Sequence, residues 1–120
     1  MPRMLVFLSL GVLVGCQDGV GPFGDISGTW RANRVEYSLT LVLVQRGSSV
    51  TGTGDSWAFV NPPTATYAVA GTYVFPRLTL TLTGSDSTAS QLTATIKDAR
   101  HMIGVQHVGT FADTLVFVKQ

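Results

Sequence analysis

Leu78-Thr79-Leu80-Thr81-Leu82-Thr83 alternates without a break, each leucine followed by a threonine. Its period is two, which is the repeat of a β-strand; a helix would scatter the same leucines around its circumference. Leucine is apolar and threonine is β-branched and polar. One face of this strand therefore goes to a core and the other to water.

The same period runs outward in both directions from Ile26 onward. Upstream, Thr66 to Val74 sets Tyr67, Val69 and Tyr73 against Ala68, Ala70 and Thr72, and Phe75-Pro76-Arg77 turns the chain. Before that, Tyr37 to Gln45 and Ser49 to Asp55 form a hairpin about Arg46-Gly47-Ser48, with Leu39, Leu41 and Leu43 on one face. Gly28 to Ala32 is the first strand. Downstream, Gln91 to Lys97 repeats the pattern through Leu92, Ala94 and Ile96. His101 to Val108 and Thr114 to Lys119 complete the set. No segment carries helical spacing.

Eight strands joined mostly by short turns predict an all-β fold, an antiparallel up-and-down barrel. Closure would remove the exposed edges that invite aggregation. The alternative is a β-sandwich, which needs longer crossovers between its sheets. An eight-stranded barrel is either filled by side chains or holds one small ligand. Leu39, Leu41, Leu43, Val69, Leu78, Leu80, Leu82, Leu92, Ile96, Leu115 and Phe117 are the expected interior.

The chain opens with a single charge, Arg3, followed by the uncharged run MLVFLSLGVLV from Met4 to Val14. That run is too short to span a bilayer, which takes about 20 apolar residues. A basic start, a short apolar stretch and small residues at its end describe a secretory signal peptide over residues 1–15. Leu13-Val14-Gly15-Cys16 resembles the lipobox of bacterial lipoproteins. The resemblance implies cleavage after Gly15 and lipidation of Cys16, with the membrane as partner through that lipid. Cys16 is the one cysteine of the chain. It has no intramolecular partner in a compartment where disulfides form, and lipid attachment accounts for it. The implied location is the bacterial cell envelope, and Gln17 after the cysteine points to the outer rather than the inner membrane. Residues 16–25 read as the lipidated cysteine and a flexible tether, and residues 26–120 as one domain.

The chain carries eight basic and seven acidic side chains. Without the leader, Arg3 is lost and the two signs balance. There is no basic stripe for nucleic acid and no polybasic run for anionic lipid.

Gly28-Thr29-Trp30 gives the first strand a second reading. It resembles the Gly-x-Trp of lipocalins and avidins, the calycin-type barrels. The resemblance implies that the Trp30 indole closes one barrel end and that Lys119 of the last strand lies over it. A broad ring under a long cationic side chain is physically sound on its own terms. "ISGTWR", "SSVTGTGDS" and "ADTLVFVK" are similar to the first three and last strands of avidins, which implies ligand-contacting positions near Ser56 and Asp113. The chain departs from that pattern at Gly54, where a tyrosine is expected, and the later strands lack the tryptophans that wall a biotin site. The resemblance is therefore one of architecture.

Candidate chemistry is sparse. His101 and His107 share a strand face but lie about 20 Å apart along it, too far to share a metal. A structural metal site usually takes four ligands, so none is expected. There is no Gly-x-Ser-x-Gly elbow, and Ser85, Ser87 and Ser90 read as loop chemistry. Glu36 and Asp55 have no partner carboxylate assignable from spacing. The chain is expected to be non-enzymatic and to need no cofactor. Asp55 to Ala65, DSWAFVNPPTA, reads as the longest connection after Ile26 and carries Trp57 and Phe59. Those two could cap a barrel mouth, plug the barrel end, or continue the third strand.

Two functions follow. In the first, a lipid-anchored barrel binds a small apolar ligand, with Trp57, Phe59, Tyr67 and Tyr73 lining or capping its mouth. In the second, the barrel is solid and its loops bind or inhibit another envelope protein. How completely the interior is filled discriminates between them.

Overall fold

The computed structural model describes residues 21–58 and 64–120. Gly15, Cys16 and Phe59 lie outside the described residues, as does the rest of the leader. The strands are β1 (Gly28–Asn33), β2 (Tyr37–Arg46), β3 (Ser49–Ala58), β4 (Thr64–Val74), β5 (Arg77–Gly84), β6 (Ala89–Asp98), β7 (His101–Val108) and β8 (Phe111–Lys119). Each pairs antiparallel with the next. β8 returns to β1 through Trp30↔Lys119 and Arg31↔Val118, so the sheet is a closed barrel. The expected up-and-down barrel is the fold, and the sandwich is not.

Several strands run further than their sequence suggests. β3 continues to Ala58 and β4 begins at Thr64, because the ladders hold through Tyr37↔Ala58, Ser38↔Trp57 and Trp57↔Thr64. Trp57 is thus a strand residue, not a loop residue. β8 begins at Phe111, opposite Val108, across a turn in which Gly109 supplies a φ of +61°.

Alternation decides what enters the barrel. Leu41, Val50, Leu78, Leu80, Leu82, Leu92, Met102, Leu115 and Phe117 expose 0% of their surface, and Leu39, Leu43 and Trp30 expose 1%. Side chains that a water-sized probe cannot touch leave no water-sized void between them. The middle of the barrel is packed solid.

The two ends differ. The strand termini at Gly28 and Lys119 and the β2–β3, β4–β5 and β6–β7 turns share one end, and it is sealed. Ile26 folds under it, its N–H bonded to Gln45 Oε1 at 3.0 Å and its carbonyl accepting from Trp30 Nε1 at 2.9 Å. Lys119 Nζ lies over the Trp30 ring, 5.7 Å from its centre. Phe23 meets Phe75 edge to face beside it, with ring centroids 5.6 Å apart. Tyr73 is completely buried at this sealed end. That corrects its expected place at the mouth. It shares the inward face of β4 with Tyr67, but six residues of strand put them about 20 Å apart, on opposite ends.

Candidate functional site

At the other end, with the β1–β2, β3–β4, β5–β6 and β7–β8 connections, the inward face changes character. The leucines give way to Tyr37 on β2, Ser56 on β3, Tyr67 on β4, Ser90 on β6, Gln106 on β7 and Asp113 on β8. The registers that bring them together are Leu39↔Ser56, Gly54↔Tyr67, Leu82↔Ser90, Leu92↔Gln106 and Gln106↔Asp113. Leu39, Leu82, Leu92 and Leu115 form the floor beneath this polar ring.

Hydrogen bonds couple the ring in three groups. Tyr37 Oη donates to Asp113 Oδ2, and Arg34 from the β1–β2 connection pairs with Asp113 Oδ1 at 2.9 Å. Arg34 also donates to the Thr114 carbonyl at 3.2 Å, and its own N–H bonds the Tyr37 carbonyl at 2.8 Å. Ser56 Oγ and Tyr67 Oη are 3.2 Å apart, and Gln106 Nε2 donates to Ser90 Oγ at 3.2 Å. Tyr67 stands between two glycines on the facing strands. A Cβ at Gly54 would come within 3.6 Å of its ring, and one at Gly84 within 3.8 Å.

The ring encloses two adjoining hollows of about 260 and 270 Å³ that share Tyr67, Gln106 and Val108. Tyr37, Leu39, Ser56 and Asp113 bound one; Ala65, Gly84, Asp86 and Ser90 bound the other. Each falls just short of the roughly 300–1,000 Å³ of small-ligand sites, and side by side they fall within it. The ring offers hydroxyl groups that donate or accept, an amide and a carboxylate, so a ligand with both donors and acceptors fits it.

Of the expected ligand residues, the mouth receives Tyr67. Trp57 lies on the outer wall, because Gly54 and Ser56 take the inward positions of β3. Ser56 and Asp113 do line the mouth. Tyr37, Arg34, Ser90 and Gln106 are additional members. Extending each strand's inward period to its mouth end would have found all but Arg34. His101 bonds Asp98 at 2.8 Å in the β6–β7 turn, and the described residues hold no cluster of three metal-ligating side chains.

Burial, and next the hydrogen bond to Asp113, push the Tyr37 hydroxyl up from 10.0 to about 12. The folded state holds this proton more tightly than the unfolded chain. Its stabilisation is complete below pH 10 and is lost as pH rises through about 12. Urea midpoints of the parent and Tyr37→Phe should therefore converge between those values. Parallel curves would mean that Tyr37 is solvated and not tied to Asp113.

No protein family, curated protein or solved structure matches the chain.

Proposed function

We propose that this chain is a lipid-anchored, non-enzymatic protein of the bacterial envelope, whose barrel mouth binds a small polar molecule. One observation carries the binding reading: a ring of inward polar side chains over a leucine floor with no room beneath it. The filled interior argues against an apolar ligand held in the barrel centre and in favour of a ligand held by hydrogen bonds at its mouth. The signal-like leader and the lipobox-like Leu13-Val14-Gly15-Cys16 support the anchor.

A second reading has its own support. The mouth rim exposes Val35 of the β1–β2 connection (93%), Phe111 at the start of β8 (67%) and Val108 at the end of β7 (42%). Apolar side chains grouped on this rim suit a protein partner docking over the mouth, as an envelope interaction protein or inhibitor would.

Native mass spectrometry of the full chain purified from membranes tests both parts. A covalent lipid mass at Cys16 that survives denaturation is expected; its absence would sink the anchor. A non-covalent adduct of roughly a few hundred daltons, lost on denaturation, is expected at the mouth. Gln106→Leu should weaken that adduct about tenfold, since it removes hydrogen bonds without removing bulk. A bare protein, or an adduct indifferent to Gln106→Leu, would favour the protein-partner reading.

A further inference from the structure

The outer wall of β1, β2 and β3 carries a second group of side chains, separate from the mouth. The registers Arg31↔Thr40↔Asp55 and Asn33↔Ser38↔Trp57 place these six residues in two adjacent rows. All six face outward and border one open groove of about 570 Å³. Elsewhere the outer wall carries threonines and alanines, as on β4 and β5, and branched aliphatic side chains such as Val42, Val44, Ile103 and Val116. Trp57 breaks that texture. It is a large aromatic, 43% exposed, on a surface strand.

The surroundings of Trp57 set the chemistry. Across three strands, spaced about 4.8 Å apart, its neighbours are all hydrogen-bonding groups. Arg31 Nε is tied to Thr40 Oγ1 at 3.3 Å, which holds the guanidinium along the groove. Asp55 lies two strands away, about 10 Å from Arg31, and makes no ion pair with it. Among the described residues, the side chains of Asp55 and Asn33 have no hydrogen-bond partner. The two charges are of opposite sign, so the groove has no net charge to select a cation or an anion. The groove thus sets a half-exposed indole beside a carboxylate, a guanidinium, an amide and two hydroxyl groups.

We infer that this groove is a saccharide-binding subsite, with Trp57 as the platform for a neutral sugar ring and Asp55, Arg31 and Asn33 as partners for its hydroxyl groups. A pyranose has an apolar face of C–H bonds that stacks on an indole, and an edge of hydroxyl groups that both donate and accept. Its edge matches acceptor-only Asp55, donor-only Arg31 and the mixed amide of Asn33. Hydrogen bonds to the two charged groups are the stronger ones, so they set orientation, while the indole supplies contact area. The subsite stands independently of the mouth. A glycan-bearing envelope surface and a free oligosaccharide share this chemistry.

The test is a titration of the full chain with cellotriose, maltotriose and N,N′,N″-triacetylchitotriose. Tryptophan emission and the line widths of the sugar protons are followed separately. Trp30 is buried, so a change in emission or in acrylamide quenching reports Trp57. At least one trisaccharide should give a saturable change that protects Trp57 from quenching. Trp57→Ala and Asp55→Ala should each weaken binding about tenfold by sugar line width, and Trp57→Phe should recover part of the loss. If Trp57→Ala is recovered unfolded, Trp57→Phe and Asp55→Asn carry the comparison. Pelleting with purified cell-wall glycan then separates the sources: co-sedimentation points to an envelope surface, and trisaccharide binding alone to a free sugar. No saturable change with any of the three, or an affinity untouched by Trp57→Ala, would overturn the assignment.

Discussion

Trp30→Ala will lower stability by about 3–5 kcal/mol, the range for removing a buried aromatic from a core. The indole is 1% exposed, so its removal leaves a void at the sealed end, where the packed interior cannot easily collapse. Two further losses accompany the void. The Ile26 carbonyl loses the Trp30 Nε1 donor at 2.9 Å, and the Lys119 ammonium loses the ring 5.7 Å beneath it. Gly28 belongs to the same arrangement. It holds φ at +138°, and a Cβ there would lie 2.8 Å from Lys119 Cε, so the glycine gives the lysine its path across the ring. Trp30→Phe keeps most of the packing and loses the N–H, and should cost about 1–2 kcal/mol beyond the small change in volume. Urea midpoints at neutral pH should therefore rank parent, Phe, Ala. An alanine variant within about 1 kcal/mol of the parent would mean that the sealed end contributes little to stability.

The same residues show how far the sequence alone could reach. Leu78, Leu80 and Leu82 alternate with threonine, and all three are fully buried. The period of two is a property of the strand itself, so the alternation carried through to the barrel interior. Trp30 and Lys119 were readable because one row of the β1–β8 ladder joins them. For Trp57 the proline pair that follows suggests a loop and the alternation suggests a continued third strand; the ladder continues the strand, and parity counted from Gly52 and Gly54 puts the side chain outside. The mouth was harder. Tyr37 and Asp113 are 76 residues apart, and Arg34 and Thr114 are 80 apart. Only closure of the barrel brings the β1–β2 connection beside β8. Closure depends on register and stagger, which no local pattern contains.

Solid packing below and polar groups above also divide the work between the two ends. The sealed end and the leucine layers hold the barrel rigid, so the ring of Tyr37, Ser56, Tyr67, Ser90, Gln106 and Asp113 is carried on strands rather than on loops. Groups fixed in this way lose little freedom when a ligand binds. A polar ring on a floppy scaffold would bind the same ligand more weakly with the same contacts.

Two inward glycines, Gly52 and Gly71, sit where an added Cβ would meet a backbone carbonyl oxygen at 1.9 Å, and Gly71→Ala, where β4 meets β5, will test the rigidity. Gly71 takes an inward position between Val50 and Leu80 in the ladder. A Cβ there would lie 1.9 Å from the Thr79 carbonyl oxygen and 2.8 Å from Leu80 Cα. Those are backbone atoms, so no rotamer change relieves the overlap. The strands must part, which breaks local β4–β5 pairing and disturbs the packing of Leu80 in the core. Overpacking of a core costs about 1–3 kcal/mol, and more when backbone must move. The expected loss is at the top of that range or above it, about 3 kcal/mol or more. Gly47→Ala is the contrast. Gly47 holds φ at +61° but has nothing within 4 Å of an added Cβ, so it should cost only the left-handed strain of about 1–2 kcal/mol. Denaturant midpoints and near-ultraviolet circular dichroism of the two variants separate steric overlap from backbone strain. Equal midpoints would show that β4 and β5 yield easily at this point, and the mouth above them would then rest on a softer wall than the register implies.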